Sequence, residues 1–147
     1  MERKMKTKNG FTLIEVLMAM VLIGLAIASL LAAARSFTSV NAAGSESTTA
    51  EFLIEQIREL TTMKAYNDLL PAFNGKTYSY PNGPIDSNGE VLNNFAAYTQ
   101  QITVENVSDA NFGLPDPNSH FVRVTVKILL NSKEISSESW IRANIGS

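Results

Sequence analysis

Cysteine is missing from all 147 residues, and its absence removes disulfides, thiolate metal sites and a cysteine nucleophile. The compartment stays open on this point, because exported chains without cysteine are common. Histidine occurs once, at His120, so a histidine-rich metal centre or a Ser-His-Asp triad has too little to draw on. An exposed or strand-edge position is the expectation for it. The sequence has no Gly-rich phosphate loop and no basic patch interleaved with aromatics. A formal net charge of −2 gives no independent reason to expect a polyanionic partner. Two further absences are positional: no proline precedes Pro71, and no charged residue lies between Val16 and Ala34.

What is present is unevenly spread. The first ten residues, MERKMKTKNG, set Arg3, Lys4, Lys6 and Lys8 against Glu2. A basic start followed by an apolar run is an export signal, with the cations kept on the cytoplasmic side. At about 1.5 Å per helical residue the run from Val16 to Ala34 spans roughly 28 Å, close to the ~30 Å of a bilayer's hydrocarbon. That is longer than the ~7–15 residue core of an ordinary cleaved signal. A secretory signal cut after Ala32–Ala34 and a plain single-pass anchor are both possible, but neither accounts for Glu15. A carboxylate deep in an apolar helix costs roughly 2.5–3.5 kcal/mol, and less near the interface. Thr12-Leu13-Ile14-Glu15 does fit a capping box, in which Glu15 occupies a free N–H at a helix start and favours the positive end of the helix dipole.

The segment GFTLIEVLMA, Gly10 to Ala19, resembles the processing motif of type IV pilins and type II secretion pseudopilins. The order is the same: a short basic leader, Gly, Phe, Thr-Leu-Ile-Glu, then an apolar helix-forming run. The resemblance is firm over residues 3 to 35 and beyond them extends only to general layout. It implies that a prepilin peptidase cuts between Gly10 and Phe11 and methylates the new amine of Phe11, while the apolar run is retained. It also implies that Glu15 is the assembly glutamate. Residues i and i+4 share a helix face, so Glu15 lies near its own chain's amine and can also face a neighbour's. The implied partners are other pilin or pseudopilin subunits, the peptidase, the inner membrane, and an assembly platform protein with its ATPase. No cofactor, metal or nucleic acid is implied as a main partner. The implied location is the bacterial cytoplasmic membrane, with one pass and the C-terminal domain outside the cytoplasm.

Beyond Arg35 the stretch RSFTSVNAAGSESTTA is polar and free of proline, with Gly44 as a weak point where a helix either continues or loosens. From Ala50 the apolar rhythm returns at Ala50, Leu53, Ile54, Ile57 and Leu60, the stripe of a helix packed on its own domain. Residues 66 to 94 are turn-rich and read as loop with short extended pieces such as Thr77 to Tyr80. Within them Asp86, Asn88 and Glu90 resemble part of a calcium loop, yet an Asn-Gly turn accounts for the same residues. Ala96 to Val107 supplies a strand with Ile102 and Val104 on one face. Val122, Val124, Val126, Ile128 and Leu130 alternate as a half-buried strand, and Asn131 to Glu134 turns into a last strand, Ile135 to Ala143. Trp140 is expected in the core or packed against the helix rather than as a ligand platform, and Asp109 and Asp116 lie in a connecting loop, where they could serve as paired carboxylates although loop carboxylates are commonplace.

The expected fold is α+β: a long N-terminal helix, membrane-spanning in its first half, with a small antiparallel sheet packed on its second half. The boundaries are 1–10 for a cleaved leader, 11–34 for the transmembrane and assembly helix, 35–65 for its amphipathic continuation, and 66–147 for the loop-rich region with the sheet. No catalytic residues stand out, and the expected role is structural, that of a minor pilin or pseudopilin subunit. Two other readings are a filament-tip module that binds DNA or secreted cargo, and an exported soluble protein released from its signal.

Overall fold

The computed structural model describes residues 10–144, so the leader up to Asn9, including Arg3, Lys4, Lys6 and Lys8, lies outside the described residues. The elements in order are α1 (Leu13–Met63), α2 (Tyr66–Phe73), β1 (Lys76–Tyr78), a single 3-10 turn (Asn93–Phe95), β2 (Tyr98–Val107), β3 (Phe121–Leu130) and β4 (Lys133–Ala143). The chain divides into two compact units, Met1–Ala43 and Gly44–Ser147. The fold is the expected α+β arrangement of a long N-terminal helix followed by an antiparallel sheet.

In the first unit α1 is exposed on all sides and, up to Ala34, apolar around its circumference, the pattern of a helix that is buried in lipid or in a bundle rather than on one face of a domain. The polar stretch after Arg35 does not break the helix. Its hydroxyls turn back onto the helix's own carbonyls: Thr38 Oγ1 donates to Ala34 O at 3.0 Å and Thr48 Oγ1 to Gly44 O at 3.0 Å. Gly44 costs only about 1 kcal/mol against alanine, and α1 passes through it.

In the second unit the predicted stripe is the core. Ala50, Leu53, Ile54, Ile57 and Leu60 are buried together with Ile102, Val104, Val122, Val124, Val126 and Ile128. The sheet is a four-stranded antiparallel meander in the order β1-β2-β3-β4. Its register sets Ile102 opposite Val126 and Val104 opposite Val124, so the branched side chains meet on the face turned to the helix. Asn131 and Ser132 both adopt positive φ, 50° and 68°, and make the tight two-residue connection whose twist suits a hairpin. β4 therefore begins at Lys133, two residues earlier than expected. On the helix-facing side of β4, Arg58 bonds Glu138 and lies 5.0 Å from the Trp140 ring. Arg142 donates to the carbonyls of Thr61 and Lys64, which occupies acceptors left open at the end of α1.

Two features depart from the sequence reading. Residues 66 to 73 form the helix α2 rather than loop. Pro71 and the flanking Asn67 and Asp68 signal a turn, yet Leu69 and Phe73, one helical turn apart, are buried in the core, and tertiary burial outweighs the local signal. The second is Gln100, fully buried on the core face of β2. Its Oε1 accepts Ile85 N–H at 2.8 Å, while its Nε2 donates to Ile85 O at 3.0 Å and Leu53 O at 3.2 Å. One side chain thus ties α1, the 79–92 loop and the sheet together.

Asp86 to Glu90 form a tight turn that is tied to α1, where Ser87 N–H donates to Gln56 Oε1 at 3.0 Å. The Asp86 carboxylate accepts the N–H groups of Asn88 and Glu90, both at 2.8 Å, and Asp86 N donates to Glu90 O. The bond from Glu90 N–H, followed by those from Asn88 and Gly89, holds the Asp86 carboxyl below its ordinary value.

Replacing Gln100 with leucine strands the N–H and C=O of Ile85 in the core. The expected loss is about 2–4 kcal/mol, read by urea unfolding of the full chain in mild detergent through the fluorescence of Trp140, the single tryptophan. A loss under about 1 kcal/mol would mean that water replaces the clamp. Because folding lowers the Asp86 pKa, its contribution is complete above the unfolded carboxylate value and disappears as pH falls through the folded one. Between about pH 5 and about pH 2 the stability of Asp86→Asn is therefore expected to fall less steeply than that of the unsubstituted chain. Equal slopes would show that these bonds do not favour the charged form.

Candidate functional site

The residues singled out at the N-terminus lie where α1 begins. Gly10 and Phe11 precede the helix in non-helical backbone, and Phe11 is 85% exposed. Thr12 is the cap: its carbonyl accepts Glu15 N–H at 3.1 Å and Val16 N–H at 3.2 Å. The side chains close the reciprocal pair predicted for a capping box. Glu15 N–H points at Thr12 Oγ1, and Thr12 N–H and Oγ1 point at Glu15 Oε2, each at 3.4 Å. These are long contacts, near the outer limit for a hydrogen bond, so they hold the carboxylate loosely. Glu15 is exposed and one turn from Phe11, on the same side of the helix. Phe11, Glu15, Val16, Ala19, Met20 and Ile23 line one shallow depression of about 390 Å³, and among these described residues Glu15 is the only ionisable group.

Among the described residues nothing requires a glycine at position 10. A Cβ built there meets nothing within 4 Å, and its φ lies outside the left-handed region. The contrast is Gly83, where a Cβ would come within 2.6 Å of Tyr78 Cβ. From Leu13 onward α1 is long and apolar enough to cross a membrane by length and composition.

The other candidates are not gathered into a site. His120 is exposed just before β3. Asp109 lies in the loop between β2 and β3. Asp116, in the same loop, accepts the backbone N–H of Asn118. Trp140 packs against the core with Arg58 over its ring. Among the described residues no group of three or more His, Asp or Glu is placed to hold a metal ion.

Comparison with known proteins matches residues 5–33 to the prokaryotic N-terminal methylation motif. No curated protein and no solved structure matches the chain. With that motif at its head, a long apolar helix behind it and an antiparallel sheet after that, the chain has an architecture consistent with that of the pilins and pseudopilins.

Proposed function

We propose that the chain is a structural filament subunit, a minor pilin or pseudopilin. A prepilin peptidase cuts it between Gly10 and Phe11, methylates the new amine, and leaves it anchored in the inner membrane by residues 11–34. The observation that carries this reading is the match to the methylation motif over residues 5–33, which falls on the start of a helix that is exposed and apolar on every side. Gly10 supports it as well. A glycine that no other described residue crowds and that is outside the left-handed region suits a constraint imposed from outside, such as a peptidase cleft.

In this reading the apolar helix is stored in lipid and then moves into a bundle of like helices, where small residues such as Ala19, Gly24 and Ala26 permit close approach. Cutting at Gly10 creates an amine one helical turn from Glu15. Pairing the two offsets part of the desolvation of each, whereas either one alone in an apolar bundle is penalised. Burial of apolar surface gives affinity with little register, and the pair supplies the register. The platform protein and its ATPase would supply the work of extraction, and the membrane potential and positive-inside bias would keep the domain outside the cytoplasm.

Intact mass of the mature chain tests the processing step. A chain beginning at Phe11 and one methyl group heavier is expected, and one beginning near Arg35 would mean a discarded secretory signal. Glu15→Gln keeps a side chain able to close the capping box but removes the charge. Both Glu15→Gln and Glu15→Ala are expected to be inserted and cleaved, yet recovered in sheared filaments at least about tenfold less than the unsubstituted chain. Normal recovery of Glu15→Gln alone would make Glu15 a helix cap and no more.

A further inference from the structure

From Gly10 to Ser45 the chain carries two charged residues, Glu15 and Arg35, and the next along the sequence is Glu46. Glu15 belongs to the helix start described above. Arg35 is exposed and forms no ion pair among the described residues. Under the proposed topology it is also a cation on the outer side of the membrane, where the orientation rule does not call for one.

The spacing of the two charges fits a bilayer in length and in angle. Both lie on the unbroken helix Leu13–Met63, twenty residues apart. That separation is about 30 Å along the axis, the thickness of a bilayer's hydrocarbon. At about 100° per residue they point about 200° apart, to opposite sides of the helix. A spanning helix is tilted by about 20° on average. Its upper side at the outer end and its lower side at the inner end then both turn towards water, so two terminal charges are best placed on opposite sides. The neighbours of Arg35 sort in the same way. Leu31, Ala34, Thr38, Ser39 and Ala42 share its side and line with it a shallow depression of about 480 Å³. Leu30, Phe37 and Val40 project to the opposite side and are 70%, 72% and 66% exposed.

We infer that Arg35 binds the phosphate of an outer-leaflet phospholipid, and that this contact, with Glu15 at the inner interface, sets the height and tilt of α1 in the membrane. A guanidinium matches a phosphate bidentately, and the small and hydroxyl side chains beside it leave room for a headgroup. The phosphate is a lipid's rather than a free anion's because the same two turns of helix present Leu30, Phe37 and Val40, which need acyl chains on the side away from Arg35. Sinking by one helical turn, about 5.4 Å, draws Arg35 into hydrocarbon, and rising by one turn draws in Glu15. Outward exit therefore breaks the lipid contact and exposes Glu15 to hydrocarbon, which an amine beside it relieves. This inference rests on the retained-anchor reading and adds to it the lipid contact that holds the anchor in place.

The cysteine-free sequence allows single cysteines to report height. The full chain is produced with a prepilin peptidase in a host without filament machinery, and spheroplasts are labelled with a membrane-impermeant maleimide. Chain absent from carbonate-washed membranes would sink the anchor reading and this inference with it. In membranes, Ser39→Cys is expected to label at least about tenfold faster than Phe37→Cys; equal rates would overturn the inference while leaving the anchor intact. Adding Arg35→Gln is expected to slow Ser39→Cys labelling about fivefold, the worth of one basic side chain at a lipid surface, as the uncharged stretch from Ser36 sinks inward. An unchanged rate would show that Arg35 does not set the height. The phosphate itself is read by solid-state NMR of the mature chain in bilayers of phosphatidylethanolamine and phosphatidylglycerol. Dephasing of the arginine Cζ signal by lipid phosphorus is expected, and its loss in Arg35→Gln, which retains Arg58, Arg123 and Arg142. Dephasing that is absent, or that survives Arg35→Gln, would overturn the contact.

Discussion

Every backbone N–H and C=O in a lipid-bound segment has to be paired within the segment itself, since hydrocarbon offers no partner. In α1 several of the groups that lie outside the regular ladder are paired, by a different device in each part. At its start Thr12 and Glu15 occupy donors that a helix leaves open. Through the apolar run the regular i to i−4 bonds suffice. Past Arg35, where hydroxyls are frequent and would compete for the backbone, Thr38 and Thr48 are turned onto the helix's own carbonyls. At the far end Arg142, reaching from β4, takes the carbonyls of Thr61 and Lys64.

The same helix changes its sequence rule partway along, and the second unit is built on that change. Up to Ala34 it is apolar on all sides. From Ala50 it is apolar on one stripe, and the stripe requires a partner. The meander provides one: alternation along β2 and β3 turns Ile102, Val104, Val124 and Val126 to a single face. That face binds through shape and burial, which would allow the helix to slide along its axis. The polar contacts restrict sliding. Gln100 reads the carbonyl of Leu53, Arg58 meets Glu138, and Arg142 meets the last carbonyls of α1, so the helix is fixed at three heights against the sheet.

These layers differ in how far the sequence discloses them. The helix, its buried stripe and the three long strands follow from periodicities of 3.6 and 2, which are local and run for ten or more residues. The candidate site at the N-terminus stands out for a similar reason, since Gly10, Phe11, Thr12 and Glu15 lie within six residues and one helix start sets the capping geometry of Thr12 and Glu15. α2 was hidden because a proline and two turn-formers outvoted Leu69 and Phe73, whose burial depends on the sheet being present. Gln100 is another tertiary fact. Its parity along β2 matches Ile102 and Val104, and that was the available signal, but its partners Leu53 and Ile85 are distant in sequence. The stretch from Ser108 to Ser119 is legible only as a loop, because its bonds run to Asn106 and Arg123 on two different strands.

Glu15 shows how a single carboxylate serves two environments under the proposed reading. A charge in hydrocarbon is tolerable only near an interface or beside a partner, and the start of α1 offers both the interface and the helix dipole. The capping contacts there are real but long, at 3.4 Å. A short, strong cap would tie the carboxylate to its own helix and raise the cost of handing it to another chain. A loose one keeps the helix start intact and leaves the charge available to an incoming amine, for which a paired, hydrogen-bonded geometry in an apolar bundle is the stronger attraction. Weak local satisfaction is thus a condition for exchange, and it costs the isolated subunit little, because water or lipid headgroups still reach Glu15 until assembly.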